Sequence, residues 1–217
     1  MCFIGIIPAR YASSRFPGKP LALIDGISMI ERVYSNATQC AVLDKVFVAT
    51  DDKRIFEHVN GFGGKVVMTS DKHRSGTERC AEAAGIILPS EKSKDDTIII
   101  NIQGDEPFLH SSQIELLCNA FTSEKVRIAS LRKIIEDADE LSDPNVVKLV
   151  CNKDDEAMYF SRQPIPFLRN HKPGEWINYQ KYYKHIGIYA YRMLVLEELL
   201  KLPPCPPEKA ESLEQLR

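Results

Sequence analysis

Four short apolar runs set the limits on what this chain can become. They are FIGIIP (residues 3–8), KVFVAT (45–50), KVVM (65–68) and TIIINI (97–102), and stretches of helical spacing separate them. Each run is too short for a buried helix and is bounded by polar or turn residues, as a strand is. TIIINI is apolar almost throughout, the pattern of a parallel strand covered on both faces. Between the runs, Ser28 with Glu31 three residues on matches a capping box and opens a helix to about Cys40. A short helix is expected between KVFVAT and KVVM, and longer ones at Thr77–Leu88 and Ser111–Phe121, with a strand at Arg127–Arg132. The order βαβαβαβ predicts an α/β fold: a layered, mostly parallel sheet with right-handed crossovers.

After Asp143-Pro144 the alternation changes. Val146–Cys151 and Ala157–Ser161 flank the turn Asn152-Lys153-Asp154 and read as a hairpin. A strand at His185–Tyr191 and a helix at Arg192–Leu202 follow, the helix stopped by the prolines of 203–207. The closing AESLEQLR reads as a helix still running at Arg217. PSEKSKDD, residues 89–96, reads as a charged surface loop. A length of 217 residues suits one domain with a smaller attached lobe: a first part of about 1–135, and a β-rich second part of about 136–217.

A hydrophobic share of 44% and a charged share of 27% exclude collagen-like and disordered chains. The net charge of −2 gives no electrostatic preference for nucleic acid or an anionic membrane surface. No apolar run reaches the ~18 residues of a membrane span, and the apolar stretch in MCFIGIIPAR is too short for a secretory signal. Six cysteines are scattered without a CxxC pair, which argues against a disulfide framework or a cysteine metal site and suits reduced thiols in a cytoplasm.

Three constellations carry the polar chemistry. The loop PARYASSRFPGKP (8–20) follows the first strand and sets Arg10, Arg15 and Lys19 among Ser13, Ser14 and Gly18. Cations beside small residues there suit a polyphosphate, although the Walker A and GxGxxG patterns are both absent. NIQGDEPF (101–108) places Asp105 and Glu106 just beyond the apolar strand, where open α/β sheets bind ligands. A carboxylate there suits Mg²⁺, which takes few protein carboxylates plus phosphate and water. In HIGIY (185–189), the period of two puts His185, Gly187 and Tyr189 on one strand face, a polar shelf for a hydroxylated ligand. Arg162, in YFSRQPIPF, suits a bidentate grip on a substrate carboxylate. In SDKHRSGTER (70–79), Ser75 and Thr77 read as helix caps or as contacts to a base edge.

Taken together, IIPARYASSRFPGKPL, VATDD, SGTER, NIQGDEP, YFSRQPIPF and HIGIYAYR resemble the CMP-Kdo synthetases, the 3-deoxy-manno-octulosonate cytidylyltransferases, in the same order from Ile4 to Arg217. The resemblance implies the nucleotide-diphospho-sugar transferase fold with a smaller sugar-binding and dimerisation lobe, a homodimer, CTP and Kdo as substrates, and Mg²⁺. The product would feed the lipopolysaccharide inner core. By motif match, Arg10, Ser14, Arg15 and Lys19 would hold the triphosphate, and Ser75 and Gly76 would lie near the cytosine. Arg10, Lys19 and Asp105 would carry the chemistry, with Asp105 on the metal. Gln103, Arg162, His185, Tyr189, Glu214 and Gln215 would surround the sugar. The family pattern continues past LEQLR to a VDTP segment whose Asp is a second metal ligand, and the sequence stops before it. The alternatives are a CMP-sialic acid synthetase, or a catalytically silent nucleotide-binding scaffold.

Overall fold

A computed structural model describes residues 1–12, 16–88, 94 and 96–217. The chain divides into two compact units. The first is Met1–Ala129 with Ile188–Leu200, and the second Ser130–Gly187 with Lys201–Arg217.

In the first unit, β1 (Cys2–Ala9) lies between β4 (Lys45–Thr50) and β6 (Thr97–Asn101), parallel to both, and β5 (Val66–Met68) runs parallel outside β4. A two-strand ribbon, β2 (Leu23–Ile24) and β3 (Ile27–Ser28), stands apart from this sheet. The end of β10 (Tyr182–Arg192) adds an antiparallel edge to β6, with Tyr189 opposite Asn101. The connecting helices are α1 (Met29–Thr38), α2 (Lys53–Gly61) and α3 (Gly76–Ile87), followed by α4 (Ser111–Ala120).

Every residue of β6 is buried, as the unbroken apolar run predicts. Ile4, Ile6 and Ile99 pack on one face with Cys80, Ala83 and Ala84 of α3 and Leu196 of α6 (Met193–Leu200). By the period of two, Ile98 and Ile100 turn to the opposite face and are equally closed to water. Ser28 caps α1, accepting from Glu31 N at 3.3 Å, and Ser75 caps α3, accepting from Glu78 N at 3.2 Å.

The second unit is built on β7 (Ile128–Ile135), whose first two residues belong to the first unit, and on β8 (Lys148–Cys151), β9 (Ala157–Ser161) and the start of β10. β8 and β9 form the expected antiparallel hairpin, with a register shift at Val150/Cys151. A short helix α5 (Ala138–Ser142) precedes them, and Leu141 packs with Ile135, Trp176 and Tyr182 as the local core. Tyr182 is buried with its hydroxyl donating to Pro166 O at 2.9 Å.

The terminal segment departs from the sequence expectation. It is not one running helix: α7 (Pro206–Glu211) ends at Ser212, which adopts a left-handed φ of 52°. Leu213 then turns inward, and Glu214–Leu216 make a single 3-10 turn. Arg217 reaches back to Glu208 with both Nε and Nη2, at 3.1 and 2.6 Å, and fixes that reversal. The ribbon β2–β3 and helix α5 were not expected from sequence, and both are too short to show a period. Residues 89–93 and 95 of the expected charged loop lie outside the described residues. Among the described residues no helix is long and apolar enough to cross a membrane, and none of the six cysteines forms a disulfide.

His185 shows how tightly the second unit is packed. The Phe160 ring meets it edge-on at 5.1 Å, and Ser130 Oγ lies 2.7 Å from Nε2. Burial disfavours the imidazolium and lowers its pKa from 6.5 to about 4. The unfolded chain therefore binds more protons than the folded one between those values, so stability is lost as pH falls through that window. Relative to a His185→Gln variant, the native chain should lose up to about 1.4 kcal/mol per pH unit between pH 6.5 and 4. Urea unfolding at stepped pH checks this, with an NMR titration of the ring. Parallel pH curves for the two chains would contradict it.

Candidate active site

In the first unit the strand order is β5-β4-β1-β6, so the chain turns to opposite sides of β1. The crevice beyond the carboxyl ends of β1 and β6 is thus a topological switch point. A cleft of about 560 Å³ lies there, within the ~300–1,000 Å³ range of small-molecule sites. Three segments line it. Pro8, Ala9 and Arg10 leave β1 and are joined by Phe16, Lys19 and Pro20; His73 to Gly76 and Arg79 open α3; Gln103, Gly104 and Asp105 follow β6. The sequence expectations for Arg10, Lys19, Ser75, Gly76, Gln103 and Asp105 thus converge on one cleft. Ser14 and Arg15 lie outside the described residues.

Lys19 Nζ donates to Asp105 Oδ2 at 2.6 Å across the cleft. Both side chains are partly exposed, at 36% and 52%, so the pair is worth little to stability, roughly 0–1 kcal/mol. It is therefore cheap to exchange for an anion on one side and a cation on the other. Two glycines shape this corner. A Cβ on Gly104 would sit 2.8 Å from the carbonyl oxygen of Pro8, so only glycine lets the Asp105 loop come this close to β1. Gly18 has φ 72° and packs under the Tyr11 ring, which a Cβ would meet at 3.1 Å. The Arg54 guanidinium lies over the same ring, 3.3 Å from its centroid. Arg54 is fixed in turn by Asp52, which accepts from its Nε and Nη2 at 3.0 and 2.6 Å. The hydrogen bonds from Arg54 hold the Asp52 carboxyl below its ordinary pKa.

The opposite wall is tied down by α3 itself. Glu82 accepts from Ser70 N at 2.8 Å and takes a short hydrogen bond with His73 Nε2; Glu78 accepts from Arg74 N at 2.7 Å. Arg79 is buried, bonded to Thr69 Oγ1, Ser70 O and Asp51 Oδ2 at 2.6, 3.2 and 3.0 Å. Sequence reasoning did not single out Phe16, His73, Arg74 or Arg79 for this cleft. The usable signal was the helical spacing of Ser75, Glu78, Arg79 and Glu82, which turns one face of α3 toward its own preceding loop.

Of the residues expected around a sugar, Gln103 and Tyr189 belong to the first unit, and Arg162, His185, Glu214 and Gln215 to the second. Tyr189 stacks on Tyr191 at 5.7 Å. In the second unit Arg162 donates from Nε to Glu211 O at 2.7 Å and from Nη1 to Pro144 O at 2.9 Å. Its backbone N–H and the Ser161 hydroxyl both donate to the Glu211 carboxylate, at 2.9 and 2.8 Å. The fully buried Lys148 sends its ammonium to the carbonyls of Asp143, Val146 and Arg162, which use all three of its donors. Burial lowers the Lys148 pKa. Arg162 therefore acts as a brace between β9 and the 211–212 turn, with part of its guanidinium already committed to backbone carbonyls. Glu214 and Gln215 sit on the 3-10 turn which that brace precedes.

Comparison with known proteins agrees with this fold. A sequence model of the cytidylyltransferase family matches residues 4–217. The 3-deoxy-manno-octulosonate cytidylyltransferase of Parabacteroides distasonis is 53% identical over 100% of this chain and 85% of its own length. That of Bacteroides thetaiotaomicron is 50% identical, with the same coverages. Among solved structures, a CMP:2-keto-3-deoxy-manno-octonic acid synthetase complexed with CTP superposes with a TM-score of 0.89 at 44% identity, covering 100% of this chain and 84% of that one. The chain belongs to the cytidylyltransferase family, and within it to the 3-deoxy-manno-octulosonate cytidylyltransferases.

Proposed function

We propose that this protein activates Kdo: the anomeric hydroxyl of the sugar attacks the α-phosphorus of CTP, giving CMP-Kdo and diphosphate for lipopolysaccharide synthesis. The observation that carries the reading is the cation-lined cleft at the β1/β6 switch point, in a chain so similar to a synthetase solved with CTP. Transfers at phosphorus need positioning and charge neutralisation more than covalent help from the protein. Arg10 and Lys19 neutralise the triphosphate and the departing diphosphate, with Ser14 and Arg15 assigned to the same task by motif. Ser75 and Gly76 flank the base at the start of α3.

Mg²⁺ is the proposed cofactor. No cluster of three or more metal-type side chains exists among the described residues, and Asp105 offers a single half-exposed carboxylate. That donor set fits an ion completed by substrate phosphates and water rather than a protein cage. When bound, the ion supplies charge neutralisation at phosphate oxygens and polarises the attacking hydroxyl. Gln103, Arg162, His185, Tyr189, Glu214 and Gln215 are the proposed sugar contacts. The unbridged cysteines support a cytoplasmic setting. A homodimer is supported by the exposed Met158 and Tyr159 on β9, which pairs only with β8 among the described residues.

Diphosphate release with CTP and Mg²⁺ tests the reading, on this chain and on one extended through the family's VDTP segment. Release with Kdo and not with N-acetylneuraminate is the expected result. Preference for N-acetylneuraminate would replace the sugar, and CTP binding with no release from either chain would favour the scaffold. In the active chain, Lys19→Ala should raise KM for CTP about tenfold or more, since a charge-assisted contact is lost, and leave KM for Kdo within about twofold. Equal loss for both substrates would contradict the phosphate role.

A further inference from the structure

VATDD sets two aspartates just past the end of β4, and the first holds the most deeply buried cation of the cleft. Arg79 is 3% exposed, and a guanidinium is costly to bury unless its charge and donors are matched. Asp51 supplies the charge through Nη2, while Thr69 Oγ1 and Ser70 O take the hydrogens of Nη1. A guanidinium has five N–H donors. These contacts use three, and the Nε hydrogen and the second Nη2 hydrogen have no acceptor among the described residues. Arg79 nevertheless lines the cleft, one helical turn beyond Ser75, whose carbonyl accepts the Arg79 N–H at 3.3 Å. A guanidinium that lines the cleft with donors to spare can give them to an acceptor carried by the ligand.

We propose that Arg79, aimed by Asp51, donates to the nucleobase and helps determine which nucleotide the cleft accepts. The inference rests on the CTP reading above and names a further contact within it. A guanidinium accepts no hydrogen bonds, so it selects a base edge made of acceptors. In a pyrimidine that edge is the 2-carbonyl, joined by N3 in cytosine, whereas uracil carries a hydrogen on N3. Asp51 acts as the positioning residue, because its carboxylate fixes the rotation of the fork. Lysine is no substitute, since a point ammonium lacks the planar pair of donors.

The test is calorimetric titration of CTP, UTP and inorganic tripolyphosphate, each with Mg²⁺, into the native chain and into Arg79→Met, Arg79→Lys and Asp51→Asn. Arg79→Met should weaken CTP about tenfold or more, narrow the preference for CTP over UTP, and leave tripolyphosphate within about twofold. Arg79→Lys and Asp51→Asn should shift the CTP/UTP ratio the same way by less, and they carry the comparison if Arg79→Met does not fold. Equal weakening of CTP and tripolyphosphate would make Arg79 a phosphate contact or a fold element only, and an unchanged CTP/UTP ratio in all three variants would remove it from the base. Either result overturns the proposal. A native chain that binds none of the three would instead overturn the nucleotide reading itself.

Discussion

The hydrogen-bonded pair of parallel strands β1 and β6 is the constraint on which the site depends. Their register, Gly5 opposite Ile100 and Ile6 opposite Asn101, brings the loops that leave both carboxyl ends to one place. It also brings Gly104 against the carbonyl of Pro8. Lys19 and Asp105, 86 residues apart in sequence, are within 2.6 Å because of it. The pair contributes little to holding the fold, and that weakness suits it to function. A cation and a carboxylate that only neutralise one another are each cheap to re-partner, with an anion on one side and a cation on the other. The isoleucines of β1 and β6 provide the rigid base against which such an exchange happens without the backbone giving way.

The end of β4 does a second job of the same kind. Asp51 reaches Arg79 in a wall of the cleft, and Asp52 reaches Arg54, whose guanidinium lies over Tyr11. Two adjacent aspartates thus each fix a cation from one strand end. In the second unit Glu211 and Lys148 play comparable parts around Arg162, one binding its backbone N–H and the other its carbonyl. In each case a cation is fixed by a buried or half-buried partner beside it.

The parallel strands and the helices between them were legible in the sequence, because each apolar run is bounded by a helix start of recognisable chemistry. Ser28 and Ser75 cap as their spacing indicates. The convergence of Arg10, Lys19, Gln103 and Asp105 was also legible, since residues just beyond parallel strands have nowhere else to go. The partners of Arg79 and Arg54 were not, because cross-chain ion pairs leave no period in the sequence. The reversal at Ser212 was hidden for a different reason. AESLEQLR has good helical propensity, and what ends α7 is the burial of Leu213 together with the return of Arg217 to Glu208, both tertiary effects. Arg162 illustrates the same limit: its type suggests a ligand, and its bonds to the carbonyls of Glu211 and Pro144 left no trace in the sequence.

The most direct test of this account is CTP affinity in Asp105→Asn and in the native chain, each measured with Mg²⁺ and again with a chelator. If Asp105 restrains Lys19 without the ion and anchors the ion when it binds, the substitution should act in opposite directions. It should weaken CTP about tenfold or more with Mg²⁺, and leave it equal or tighter without the ion, because Lys19 is released to the phosphates. A loss of the same size under both conditions would contradict the account, since Asp105 would then be holding the cleft together rather than trading its partner for a metal.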